Sequence, residues 1–500
     1  YSHYLQIGNT GNYAYEDFQS DIRLAQEAHI DGFALNIAYL DSANNWGVSS
    51  MFKAAEAAGF KLIFSFDYAG NGPWPKDDVL DLLRWYTTSR AYFWHHGEKP
   101  LVSTFEGPDQ SLDWVDIKKQ VPVFFMPSYS SLGAKKALLK GDVIDGLFNW
   151  GAWPDGPNAM TTKVDASYFD FLKSNGNKPY MMPVSPWFYT NLPGYDKNWL
   201  WRGDNLWWDR WIHVWYNKPE YVQIISWNDY GESHHIGPVL EKAMVAFTTG
   251  RAPFNYALDR PHDSWRMFLP HVIDMYKGLA PVITKEGLNV WYRLNPGRAC
   301  STGGTTGNHA AQVQTEGNPS DFSQDRVFFS ALVAGNKDLV ARVKIGGADF
   351  GNAMFDSHPA DYVGLWHGSY PVGDKTGAVT VEIVKNGATI LRLVGRTIDA
   401  SNCINGQNNW NAWTGGVWAS TGVSAVPVPI AQQGCIAGSG QDNYLSKLCR
   451  YTCAFDYCPA GPCYCGLMGK VTSAPAPKFS AGYPNPGKTC LYTGLCSYVC

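Results

Sequence analysis

The stretch DGFALNIAYLDSANNWGVSSMFKAAEAAGFKLIFSFDYAG, from Asp31 to Gly70, reads as strand, helix, strand. Asp31–Tyr39 and Lys61–Ala69 are short apolar runs that end in small or polar residues. Between them, Val48–Phe60 spaces its apolar residues three and four apart, the period of a helix with one buried face. Strands joined through a helix run parallel, because a tight hairpin connects only antiparallel ones. The same alternation continues on both sides. Tyr1–Asn9 comes before it, followed by the amphipathic Glu16–Ile30, where Phe18, Ile22, Leu24 and Ala25 fall near one face. After it come the helical Asp77–Phe93 and the runs Pro100–Gly107, Val121–Tyr129, Val143–Gly151, Lys178–Tyr189 and Tyr221–Ser233. Eight strands alternating with helices in about 250 residues make an α/β pattern, that of a (β/α)8 TIM barrel. An open doubly wound sheet is the rival, and the lack of a Gly-rich phosphate loop after any of these strands weighs against it.

From Ile283 the period shortens to two. LNVWYRL, RVFFSALVAG, DLVARVKIG and AVTVEIVKNGATILRLVG alternate apolar and polar residues, and Lys385-Asn386-Gly387 is a hairpin signal. The expected organisation is a barrel over residues 1–282, an antiparallel β-sandwich over 283–400 and a Trp-, Gly- and Cys-rich module over 401–470. A Pro-rich linker with a partial second cysteine repeat occupies 471–500, where Tyr492, Leu495, Cys496 and Cys500 echo Tyr444, Leu448, Cys449 and Cys453.

The formal net charge of −4, with no basic or acidic block, argues against nucleic acid and anionic membrane surfaces as partners. No apolar run approaches the roughly 20 residues of a membrane span. Aromatics make up 15% of the chain, with 21 Trp. About a third of these Trp are expected on an open surface or groove, since large aromatics are only partly buried on average. There they can stack on the C–H faces of sugar rings. All 11 cysteines lie between Cys300 and Cys500, and the dense run Leu448–Cys465 reads as a disulfide framework of an oxidising compartment. Zinc is the rival, but no CxxC pair or accompanying His is present. The chain opens on Tyr1 with no signal peptide, as a processed or excised form would. A secreted, extracellular and wall-associated monomer is expected, with no metal and no cofactor.

In a barrel, reactive groups sit at the C-terminal strand ends. That rim supplies His3, Asn9, Asn36, Asp67, Glu106, Ser128, Trp150, Trp187, Asp229 and Glu232, with Trp74, Trp153 and Tyr189 in adjoining loops. Cleavage of a glycosidic bond needs one carboxyl to protonate the departing oxygen and a second carboxylate opposite it. A carboxyl at the end of a buried strand is partly desolvated, which suits it to acid duty. Asp67 alone could equally be a loop cap. Asp229 and Glu232 are harder to dismiss, because Trp227, Asn228, Tyr230, His234 and His235 crowd the same segment with polar groups. Glu106 could simply shape its turn. Neither a Ser elbow nor a Cys nucleophile occurs in the barrel region.

SHYLQIGNT, DIRLAQEAHIDGFALNIA, FSFDYAG and SWNDYGESHHIGP together resemble fungal glycoside hydrolase family 71, the endo-α-1,3-glucanases or mutanases. The cysteine-rich tail is similar to appendages on some members. The resemblance implies hydrolysis of α-1,3-glucan with inversion, using the carboxyls Asp67, Asp229 and Glu232. It casts Glu232 as general acid, Asp229 as the base that activates water, and Asp67 as the group that holds sugar hydroxyls or positions that water. Inversion would call for a carboxyl separation of roughly 6.5–9.5 Å. His3, Asn9, Asn36, Trp74, Glu106, Trp150, Trp153, Trp187, Tyr189, Trp227, Asn228, Tyr230, His234 and His235 are the candidate sugar contacts. The alternatives are a noncatalytic glucan-binding protein on a barrel scaffold, and a retaining hydrolase or transglycosylase on another glucan.

Overall fold

The computed structural model describes residues 2–304 and 317–473, with side chains from Leu5 onward. Each of the eight expected runs contributes a strand: β1 Ser2–Gln6, β2 Gly32–Ala38, β3 Lys61–Asp67, β4 Lys99–Phe105, β5 Phe124–Phe125, β6 Leu147–Phe148, β7 Tyr180–Val184 and β8 Tyr221–Ile224. All pair in parallel. β1 lies between β2 and β8, β3 joins β2 to β4, and β4 pairs β5. On the other side β8 pairs β7, which pairs β6. Between β5 and β6, the Asp145 and Gly146 amides donate to the Phe125 carbonyl, and Phe148 N–H donates to the Pro127 carbonyl at 3.0 Å. The run Val121–Tyr129 yields only two ladder residues; Pro122 and Pro127 within it have no N–H to give.

The helices α1 Tyr15–Glu27, α2 Asn44–Ala58 and α3 Lys76–Tyr86 bury the expected stripes. Phe18, Ile22 and Ala25 of α1 are buried and Leu24 packs at the margin. Gly59 ends α2 at φ 68°, a left-handed turn that glycine takes without steric cost.

Strand side chains alternate between two cores, because successive residues point to opposite faces. In β2, Phe33, Leu35 and Ile37 join the core under the helices, whereas Ala34 joins an inner core with Ile63, Leu101, Met126, Phe148, Met181 and Ile225. By the same parity Asn36 follows Ala34, and Asp67 follows Ile63 and Ser65, at the C-terminal end of the inner row. This periodicity brings a carboxylate to the C-terminal edge of the parallel sheet.

The second half is an eight-stranded antiparallel sheet. Its order is Ala388–Ile398, Gly377–Lys385, Leu339–Ile345, Gly351–Ser357, Val363–Pro371, Arg326–Ala334, Ile283–Arg293, Ala412–Ala425. The last strand pairs with Ile283–Arg293 along its length, so the sheet continues past residue 400, where a separate module was expected. Asn386 and Gly387 turn the Gly377–Lys385 hairpin at φ 52° and 78°, as the Asn-Gly signal predicts.

Beyond the sheet, strands Gly434–Gly440 and Cys463–Gly469 pair beside the helix Asn443–Cys453. Disulfides Cys435–Cys465, Cys449–Cys463 and Cys453–Cys458 staple this small unit, and Cys300–Cys403 ties the segments before and after most of the sheet. A unit this small has too little apolar interior to stand without such links. Cys490, Cys496, Cys500 and the expected second repeat lie outside the described residues. Among the described residues, no helix is long and apolar enough to cross a membrane.

The expectation for tryptophan is corrected. Among the described residues, only Trp46, Trp85, Trp94 and Trp418 are well exposed.

Candidate active site

β8 leads into the segment Ser226–Gly237, which folds back on itself. Ser226 N–H donates to the His234 carbonyl, Ile236 N–H to that of Ser226, and Gly237 N–H to that of Trp227. Asn228 stitches it to β1. Its side-chain oxygen accepts from Gln6 N–H at 2.8 Å and its amide donates to the Gln6 carbonyl at 2.9 Å, extending the ladder by a side chain. Asn9 donates to the Asn228 carbonyl at 2.8 Å. Both amides were expected to touch sugar; both are buried and spent on backbone.

Asp229 and Glu232 project from this loop with 6% and 9% of their surface exposed. A relay links them. Asp229 N–H donates to Ser226 Oγ at 3.0 Å, and Ser226 Oγ contacts His234 Nδ1 at 2.8 Å. His234 Nε2 lies 2.9 Å from Glu232 Oε2. An ionised carboxylate only accepts, so Nε2 carries the imidazole hydrogen that faces Glu232. The other Glu232 oxygen receives the Lys197 ammonium at 2.8 Å. One oxygen each from Asp229 and Glu232 and a ring nitrogen of His234 lie within 4.8 Å of one another, and the Lys197 ammonium bonds the Glu232 member of this group.

The two carboxyls are driven apart in acidity. Burial and the Glu232 charge push Asp229 up to about 6. Burial alone would push Glu232 up as well, but Lys197 and His234 overturn that and hold it down to about 2. The charges around Lys197 include Asp67 as well as Glu232 and Asp229, and they raise it against its own burial. Asp67 is itself raised by burial, opposed by the Ala69 and Gly70 amides, Lys197 and the neighbouring Asn36. Those amides donate to its Oδ1 at 2.8 and 2.9 Å, so Asp67 caps its own loop as well as facing the cation. A Cβ on Gly70 would stand 3.1 Å from Asp67 Oδ2 and 2.9 Å from Ala38 Cβ, which leaves room for glycine only. Glu106, at φ 53°, accepts from Ser131 N–H at 2.9 Å, and the Asp67 charge adds to the burial that raises it.

Most of the aromatic candidates are core. Trp74, Trp153 and Trp187 are buried, their indoles donating to the carbonyls of Ile37, Trp187 and Trp410. Tyr189 packs on Tyr256, Tyr230 donates to the Pro238 carbonyl at 2.7 Å, and Trp227 is fully buried. His235 stacks on His262 with ring centroids 4.0 Å apart, away from the carboxyls. These side chains build the walls of the site and do not stand open on its rim. Trp150 alone of the aromatic candidates keeps partial exposure, its ring 6.5 Å from that of His234. The His3 side chain lies outside the described side chains. Lys197 and Ser226 are functional groups that sequence reasoning missed; a lone Lys in NLPGYDKNW belongs to no motif. A second group with ligand spacing, His95, His96 and Glu220, sits at the opposite, N-terminal ends of the strands.

The glycosyl hydrolase family 71 model matches residues 1–426. A mutanase of Penicillium rubens is 31% identical over 426 residues, covering 83% of this chain and 88% of that protein. A glucan endo-1,3-alpha-glucosidase of Schizosaccharomyces pombe is 33% identical over 347 residues, 65% of this chain and 76% of that protein. A solved GH99 endo-alpha-mannosidase of Bacteroides thetaiotaomicron aligns with a TM-score of 0.41 at 17% identity, covering 54% of this chain and 86% of that one.

Proposed function

The chain belongs to glycosyl hydrolase family 71, and on that premise we propose that it cleaves internal α-1,3-glucosidic bonds of an α-1,3-glucan, with Asp229 and Glu232 as its acid–base pair. The observation that carries the proposal is the asymmetric pair itself: two buried carboxyls on one loop, Glu232 bonded to Lys197 and His234 and held low, Asp229 with no such bond and raised by burial. A binding protein has no use for that difference, whereas proton transfer to a departing oxygen requires it. Asp67 faces the same ammonium and is assigned to hold sugar hydroxyls or the attacking water. Trp150 is the remaining aromatic candidate for sugar stacking. The parallel half is read as a (β/α)8 barrel, which the pairings and the Phe125 and Pro127 contacts support. The antiparallel half is read as a β-sandwich, supported by its own apolar core around Val290, Phe329, Val343 and Val381. Its disulfides fit a secreted protein.

Release of reducing ends from insoluble α-1,3-glucan tests the activity; binding without release would sink it. For stereochemistry the proposal is inversion, so proton NMR is expected to show the β-anomer first. The nearest oxygens of Asp229 and Glu232 lie within 4.8 Å, short of the roughly 6.5–9.5 Å that leaves room for water in inverting pairs. That favours a second reading, retention, in which the α-anomer appears first.

The pH profile follows from the pair. It holds one proton between its two titrations, whichever oxygen carries it, and that state is the active one. As pH rises through about 6 the proton leaves, so kcat/KM is expected to fall about tenfold per unit above that value. A profile flat to pH 8 would remove the pair from catalysis.

A further inference from the structure

We propose that Lys197 decides which member of the pair carries the proton: its ammonium keeps Glu232 ionised and leaves Asp229 as the donor to the glycosidic oxygen. This rests on the glucan-hydrolase reading above, and it reverses the division of roles that the family resemblance implies.

Lys197 arrives from the strand Lys197–Leu200, which pairs antiparallel with Tyr189–Leu192. That hairpin is fastened to the carboxyl-bearing loop at two places. Tyr189 N–H donates to the Glu232 carbonyl at 3.1 Å. Tyr256 hydroxyl donates to the Gly231 carbonyl at 2.6 Å and accepts from Asn191 N–H at 3.1 Å. The ammonium is therefore aimed, although its side chain keeps 38% of its surface exposed.

Each Glu232 oxygen has a donor of its own, Lys197 at 2.8 Å and His234 at 2.9 Å. Asp229 is served differently. One oxygen accepts the Glu232 amide at 3.1 Å, and the other stands 3.9 Å from His234 Nε2, beyond hydrogen-bond reach. Among the described side chains, Asp67 on β3 also faces the ammonium, and Glu106 after β4 feels the Asp67 charge. Both are acidic groups, so neither supplies Asp229 with a counter-charge; Asp67 instead helps keep Lys197 protonated. Burial then disfavours a charge on Asp229, and the acidities of the pair agree.

In the step that follows, the Asp229 O–H proton passes to the glycosidic oxygen as the C1–O bond breaks, and that oxygen keeps the bonding electron pair. Water adds its oxygen to C1 and gives a proton to Glu232. Transfer of that proton back to Asp229 restores the pair, with one water consumed per bond.

The test uses a glucan and an α-1,3-glucooligosaccharyl fluoride, whose leaving group needs no protonation. Asp229→Asn is expected to lose roughly 10²–10⁴-fold on the glucan and less than about tenfold on the fluoride, whereas Glu232→Gln loses on both. The opposite pattern would assign the donor to Glu232 and overturn the proposal. Lys197→Met is expected to move the acid limb of the kcat/KM profile up by about a unit or more and to slow glucan turnover about 10–100-fold. Lys197→Arg, which keeps the charge, is expected to return the limb to its wild-type position. An acid limb unmoved in Lys197→Met overturns the proposal. Full glucan turnover in both carboxyl variants overturns the proposal and the assignment of the pair, whereas no reducing-end release by the unsubstituted protein overturns the hydrolase reading itself.

Discussion

Glu232→Gln and Asp229→Asn are each expected to lower kcat on α-1,3-glucan by roughly 10²–10⁴-fold while the protein keeps its fold. The chemical reason is that either amide removes a proton acceptor or donor from a pair that must pass one proton per bond cleaved. The structural reason for survival of the fold lies in the main chain. Asp229→Asn keeps an oxygen to accept the Glu232 amide. Glu232→Gln leaves the loop held by the Asn228 stitches to β1 and by Tyr189 and Tyr256 through backbone atoms. Circular dichroism and the melting temperature check the fold, and initial rates of reducing-end release check the chemistry. Asp67→Asn should be impaired too, but less sharply, because Asn can still accept the Ala69 and Gly70 amides. Near-normal turnover in either member of the pair ends its assignment.

Arg210→Met is expected to be the most damaging single change to stability away from the site. The helix Lys163–Ser174 carries Asp165, and the helix Leu206–Asn217 carries Arg210. The guanidinium donates to both Asp165 oxygens, at 2.7 and 3.0 Å, and to the Pro183 carbonyl of β7 at 2.6 Å. Tyr180 hydroxyl donates to Asp165 at 2.9 Å. Arg210 and Asp165 are 0% and 1% exposed, so removing one partner strands a charge without water. Such a loss costs about 3–5 kcal/mol, or a drop in melting temperature of roughly 10 °C. The exposed Arg23–Glu27 pair makes the control: Glu27→Ala should cost less than about 1 kcal/mol. Equal effects of the two changes would contradict the account. The double change Asp165→Leu with Arg210→Met should recover much of the loss, since no charge is then left unpaired.

Much of the fold was legible because it is local. The period of two in β2 and β3 divides Phe33 and Leu35 from Ala34, and it carries Asn36 and Asp67 to the same end of the inner row. The Asn386-Gly387 turn and the cysteine framework are likewise properties of short stretches read by themselves. Asp229 and Glu232 could be picked out for the same reason, as two acids three residues apart where a buried strand ends. The run of the sheet past residue 400 rests on a long-range pairing that no short stretch shows: Ala412–Ala425 pairs with Ile283–Arg293, more than a hundred residues earlier.

What the amino-acid order determined by itself, then, is the alternation of strands and helices and the acids at the strand ends, since side-chain period follows from backbone geometry alone. Which indoles are walls, which amides are stitches and which carboxyl keeps its proton were decided only when distant segments met. Trp187 donates to Trp410 and Lys197 reaches Glu232 across a hairpin. Burial and Coulomb attraction act through space, so a residue's partners, and with them its acidity, are set by contacts that chain position does not encode.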